Sequence, residues 1–243
     1  MNRIFRLFKT CNIAFLLLLL TTITSKGQEL NPQPLLDSIQ LKLNKVKDYS
    51  ADINIKVDVE FIKIPLRQAK IYFKQPDKIK MKSTGFALLP KKGLNFSIGD
   101  LLNKKYQAIF VKNQVLKNTQ TVVVKIIPLD DNAEIILATL WIDRKKQVIR
   151  KIDATTKSSG NFFLFLDYPA QSSTYDLPEM LSFEFDVNKM EIPAAISGDY
   201  NSEKPKEKKE GPTKGKISIR YSNYLVNKGI PDSFFTEEKP VKK

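Results

Sequence analysis

The residues that usually do chemistry are scarce in this chain. Its 243 residues include no histidine and one cysteine, Cys11, which falls in an N-terminal apolar segment. Beyond that segment no Ser-His-Asp triad, thiol nucleophile or histidine-bound zinc can be assembled. A pair of carboxylates could still cleave glycosides. The only acidic doublet before the charged tail, Asp130-Asp131, stands next to Asn132, and turn chemistry accounts for it. A Ser-Lys dyad stays open, although no serine lies in a nucleophile-elbow pattern and no glycine-rich phosphate loop exists. The chain is therefore expected to be no enzyme and to hold no cofactor and no metal. What it has in quantity is apolar area, with 15 phenylalanines among its residues. Such area either fills a core or is kept to bind something apolar.

The clearest apolar surface comes from residues 51–83. Ile53, Ile55, Val57, Val59 and Phe61 alternate with Asp52, Asn54, Lys56, Asp58 and Glu60. This is the period-2 pattern of a strand with one wet and one apolar face. Pro65 interrupts it. Ile71 and Phe73 then stand against Lys70, Tyr72 and Lys74, and Gln75-Pro76-Asp77 turns the chain. Ile79 and Met81 alternate with Lys78, Lys80 and Lys82 in a third strand, completing an antiparallel meander with one large apolar side.

Something must cover that side, and one element is suited to it. Leu35, Leu36, Ile39, Leu43 and Val46 recur at three- and four-residue spacing behind Pro34, which suits the first turn of a helix. This amphipathic helix is expected to lie across the sheet. Residues 86–102 are apolar without a single period and are broken by Gly85, Pro90, Gly93 and Gly99. They predict a loop, either packed or lid-like, with a short helix at 97–104.

Strand patterns resume at 105–112 and recur at 119–128, 134–143, 147–154, 161–167, 180–190 and 216–224. Segments 134–143 (EIILATLWID) and 161–167 (NFFLFLD) are apolar on both faces, which predicts strands covered on both sides. The repeat of strands without intervening helices indicates an all-β sheet or barrel.

The first 27 residues have a basic head (Arg3, Arg6, Lys9), an apolar run at 13–20 and a small, polar stretch ending at Gly27. This is the pattern of a cleaved signal peptide, which predicts an exported, periplasmic protein. Four of the 40 basic residues fall in that segment, so the rest keeps 36 against 26 acids, net +10. Such a balance favours anionic surfaces, but export argues against nucleic acid as a partner, and lysines spread along strands also blunt sheet edges. Residues 28–236 are expected to form a single domain. Residues 198–215 (with SEKPKEKKEGPTKG) form a flexible insertion, and 237–243 a charged tail.

The order of these features resembles the LolA-like superfamily of periplasmic lipoprotein carriers, which includes LolB- and RseB-type relatives. The most specific segment is Ile71-Tyr72-Phe73-Lys74-Gln75-Pro76-Asp77-Lys78-Ile79, similar to the family's strand–Lys-x-Pro-Asn/Asp–strand turn. Residues 135–152 followed by Gly160-Asn161 resemble its late hairpin, and residues 227–235 its closing Asn…Phe segment. The resemblance spans about 35–168 and 216–236. It implies a mainly β fold, an unclosed, curved antiparallel β-barrel of about eleven strands with helices plugging the concave face. It also implies a monomeric carrier of lipoprotein acyl chains or other lipid, working with a membrane export or acceptor protein. The rival expectation is an RseB-like protein-binding module. Carriers of this family use an arginine near the start of the sheet to hold a lid, and Arg67 is the only arginine in that part of the chain. The concave, lipid-binding face is expected to carry Ile53, Ile55, Val57, Val59, Phe61, Ile71, Phe73, Ile79 and Met81, with Leu137 and Trp141 further along.

Overall fold

The structure, a computed structural model, describes residues 31–59, 62–63, 65–82, 98–158, 160–171, 174–186 and 214–236. The expected signal segment 1–27, residues 83–97, Phe61, residues 198–213 of the expected insertion and the tail 237–243 lie outside the described residues, while Lys214 and Gly215, expected in the insertion, are in a strand.

Helix α1 (Gln33–Asn44) starts where Asn31 accepts the Gln33 N–H on its side-chain oxygen at 2.9 Å, with Pro34 inside the first turn as its fixed φ allows. Its spacing brings Leu36 and Ile39 onto one side, both fully buried. Each such side chain contributes roughly 1.5–3 kcal/mol through burial. Strands β1 (Asp48–Val59), β2 (Ile62–Lys63), β3 (Arg67–Lys74) and β4 (Lys78–Lys82) form the predicted meander. A short helix α2 (Ile98–Asn103) follows, within the span expected for it. Then come β5 (Tyr106–Leu116), β6 (Thr119–Pro128), β7 (Ile135–Asp143), β8 (Val148–Thr156), β9 (Asn161–Asp167), β10 (Met180–Asp186) and β11 (Lys214–Val226), and a 3-10 turn at Asp232–Phe235.

All eleven strands belong to one antiparallel sheet, in the order β4-β3-β1-β11-β10-β9-β8-β7-β6-β5, with β2 paired to β1 alone. The sheet does not close, and β4 and β5 are its free edges. It is an unclosed, curved barrel with helices on its concave side. Directly opposed residues in an antiparallel pair share a face. One unbroken row therefore runs across eight strands as Val57, Ile217, Phe183, Leu164, Ile152, Leu140, Val124 and Phe110. Every member is apolar. This is the inner face, and Tyr106, two steps along β5 from Ala108, joins it and meets α1.

The turns follow their sequence chemistry. At the acidic doublet, Asp130 accepts the Asn132 N–H on its carboxylate and the Ala133 N–H on its carbonyl, both at 2.9 Å. Between β8 and β9, Gly160 takes a positive φ of 71° and its carbonyl accepts from Thr156 N–H at 3.0 Å.

Candidate functional site: the inner face of the sheet

The inner face is unevenly sealed. Across β6–β8 it is fully buried: Val122, Val124, Ile126, Ala138, Leu140, Ile142, Ile152 and Ala154 expose almost nothing. Along β1 the same holds for Ala51, Ile53, Ile55 and Val59, and on β3 for Ile71. Toward the β3–β4 edge the burial relaxes. Phe73 and Met81 are half-buried there and Ile79 is 44 % exposed, and Val57, further along β1, is half-buried as well. Register places Phe73, Ile79 and Met81 together, with Phe73 opposite both Tyr49 and Ile79, and Ile71 opposite both Ala51 and Met81, whereas Val57 lies toward the other end of β1, opposite Ile217. Eight of the predicted apolar residues thus share one face, and Phe61 lies outside the described residues.

Leu137 and Trp141 do not join them. Leu140, on the inner face, is opposite Val124 and Ile152, so its neighbour Trp141 points outward, opposite Val123 and Lys151. Leu137, adjacent to the inward Ala138, points outward as well. The reason is physical. In a strand apolar on both sides, alternation carries no information about which side faces the core. The expectation that β7 and β9 are covered on both sides is corrected too. Trp141, Phe163 and Phe165 on their outer side are half-buried rather than sealed.

Two further groups lie on the inner face, Arg67, which the sequence offered without a place, and a tyrosine cluster, which was not singled out from sequence. Arg67 lies opposite the inward Ile55, with its Nε buried. Tyr49, Tyr221 and Tyr224 form an aromatic cluster with Phe73. Tyr49 is 5.2 Å from Phe73 and 5.5 Å from Tyr224, centroid to centroid, and Tyr221 stacks on Tyr224 at 5.8 Å. The Tyr224 hydroxyl donates to the Pro178 carbonyl at 2.8 Å. Burial pushes the Tyr49 hydroxyl up to about 12, and raises Tyr168, Tyr221 and Tyr224 above the ordinary tyrosine range as well. Only the even spacing of Tyr49 with Ile53 and Ile55 signalled that a tyrosine would face inward.

Helix α1 is fixed over this face from both edges of the sheet. Near its start, Gln33 donates to the Tyr106 hydroxyl on β5 at 3.0 Å. At its other end, Gln75 in the β3–β4 turn donates to the carbonyls of Leu43 in the last turn (3.2 Å) and Val46 just beyond it (2.8 Å). The helix therefore spans the gap that the sheet leaves open. Gln40 ties it to α2 by donating to Asn103 at 2.8 Å, and Lys42 pairs with the nearly buried Asp176 at 2.6 Å. At the junction into β1, Asn227 accepts the Lys47 N–H (2.7 Å) and donates to the Lys45 carbonyl (2.8 Å). The Asp48 carboxylate accepts the N–H groups of Lys228 (3.0 Å) and Gly229 (3.1 Å).

Among the described residues no cluster of three or more acidic or other ligating side chains is placed to hold a metal. The geometry offers an apolar wall, a polar aromatic end near Tyr49 and a half-buried arginine, Arg67.

Comparison by sequence finds no matching protein family and no matching curated protein. Comparison of structures is informative. The chain matches a domain assigned to outer membrane lipoprotein sorting from Vibrio parahaemolyticus at a TM-score of 0.54 and 13 % identity, covering 84 % of this chain and 97 % of that one. It matches a LolA superfamily protein from Nitrosomonas europaea at 0.54 and 10 % identity, covering 83 % and 97 %. The chain has the LolA-like fold. A DUF1329 family protein from Desulfovibrio piger matches at 0.54 and 11 % identity, over 85 % of this chain and 98 % of that one. In the LolA-like fold of this chain, the strand–Lys-Gln-Pro-Asp–strand turn forms the β3–β4 edge, and the closing Asn…Phe segment supplies Asn227.

Proposed function

We propose that this protein binds lipid on its inner face, as a periplasmic carrier of lipoprotein acyl chains or another lipid toward the outer membrane. The observation that supports this most is the gradient along the inner face. The same apolar surface that is sealed under β6–β8 is left half-buried at Val57, Phe73 and Met81, and open at Ile79. A core needs no such opening, whereas an acyl chain needs an entry. Each methylene it buries contributes about 0.8 kcal/mol, so binding calls for no directed chemistry. The LolA-like fold adds support by analogy, since one fold can host several functions. The pattern of residues 1–27 supports a periplasmic location.

Titration of a delipidated sample with a fluorescent fatty acid tests the reading. Binding is expected to saturate, and Ile79→Glu and Val57→Glu each weaken it tenfold or more, taking roughly 1.4 kcal/mol as a factor of ten. Leu137→Glu, on the outer face, leaves it unchanged. Equal loss in all three variants, or no saturable binding by the wild type, overturns the assignment of the face.

A further inference from the structure

The outer face of the sheet is polar over most of its width and changes character at β7–β9. One register row on this side reads Lys112, Val123, Trp141, Lys151, Phe165, Ser182, Ser218 and Lys56. Its β10, β11 and β1 members are serine and lysine. Its β7–β9 members are two aromatic rings with a lysine between them. The Lys151 ammonium lies 4.3 Å from the Trp141 ring centroid, 4.9 Å from that of Phe163 and 5.5 Å from that of Phe165. The three rings are half-buried, and Lys112 and Lys125 flank them, both exposed. The nearby acids are engaged, Asp167 with Lys117 at 3.6 Å, Glu184 with Lys216 at 3.0 Å, and Asp153, opposite Phe163, electrostatically with Lys151. At the opposite edge the outward Tyr72 is instead covered by Phe234 of the C-terminal 3-10 turn at 4.6 Å.

We infer that this band of the outer face, Trp141, Phe163 and Phe165 framed by Lys112, Lys125 and Lys151, docks on the surface of an anionic phospholipid bilayer. β7, β8 and β9 are interior strands paired on both sides, so no extended peptide can add to them. What they present is a convex surface of rings with ammonium groups at the same level. Rings of this kind settle at the interface between headgroups and acyl chains, while lysine stems lie along them and the charges reach phosphates. The charge is complementary, since the residues after 27 carry 36 Lys and Arg against 26 acids, net +10. The inference is independent of lipid binding on the inner face, which lies on the other side of the sheet.

Trp141 is the only tryptophan in the chain, so its emission reports on this band alone. The experiment adds vesicles to the full chain, made of phosphatidylcholine alone or mixed with phosphatidylglycerol, with and without brominated acyl chains. Emission is expected to shift to the blue and to be quenched by brominated lipid on the anionic vesicles, with an affinity that falls as salt rises. Lys112→Gln and Lys125→Gln each lower that affinity about fivefold. Lipid taken up on the inner face does not reach Trp141, so loading there does not imitate the result. Several outcomes overturn the inference: emission that stays unshifted and unquenched, an equal response to neutral vesicles, or glutamine variants that bind like the wild type. A blue shift that grows with protein concentration without vesicles also overturns it, and assigns the band to contact between copies of the chain.

Discussion

Gln33 donates its side-chain amide to the hydroxyl of Tyr106 at 3.0 Å, across 73 positions of sequence. The bond joins the first turn of α1 to β5, one free edge of the sheet, while Gln75 joins the far end of the helix to the hairpin at the other edge. An open barrel has two unpaired edges, and here a helix bridges the space between them. Removing the Tyr106 hydroxyl with Tyr106→Phe is expected to cost about 1 kcal/mol, the usual net value of one part-buried hydrogen bond. Urea unfolding checks this as a lower midpoint with an unchanged slope. An unchanged midpoint removes the clasp from the account.

Asn227 offers a sharper test because it does two things. Its backbone sits at a φ of +56°, which favours glycine and asparagine, and its side chain bonds to Lys47 and Lys45. Asn227→Gly keeps the backbone freedom and loses the bonds. Asn227→Ala loses both. The alanine variant is expected to be the less stable by about 1 kcal/mol, since a Cβ at positive φ costs about that much. Denaturant midpoints of the two variants decide it.

The buried tyrosines set an alkaline limit. Burial holds the Tyr49 hydroxyl at about 12, above its value in the unfolded chain, and raises Tyr168, Tyr221 and Tyr224 too. A folded-state pKa raised above the unfolded one means that the folded state keeps the proton longer. The corresponding stability is complete below about pH 10, the ordinary tyrosine value. It declines as pH climbs from there through the folded value of about 12 for Tyr49. Tyrosinate absorbance is expected to rise in two stages, the second coinciding with loss of the β-sheet circular dichroism signal. A single ordinary titration with the sheet intact contradicts this.

Much of the fold could be read from residues 31–82. Strict alternation gave β1 and its inner face, Gln75-Pro76-Asp77 gave the hairpin turn, and the three- and four-residue spacing of Leu36 and Ile39 gave the covering helix. The second half gave its strands, but for β7 and β9 not their faces. Trp141 and Phe165 stand in segments that are apolar on both faces, so alternation is silent there. Bulges add to this, as between Trp141 and Ile142, where two steps on β8 answer one on β7. Arg67 was noticed as an arginine. Its inward position came only with the pairing to Ile55, because residues 64–69 have no alternation of their own. The seam bonds of Gln33, Gln75 and Asn227 join segments far apart in sequence, and no local pattern announces them.

Native mass spectrometry of the gently purified protein measures the occupancy of the inner face most directly. Wild type is expected to carry lipid masses that Val57→Glu and Ile79→Glu lose, while circular dichroism shows both variants folded. A wild-type protein that is folded, free of lipid and unable to take it up from mixed micelles contradicts the account.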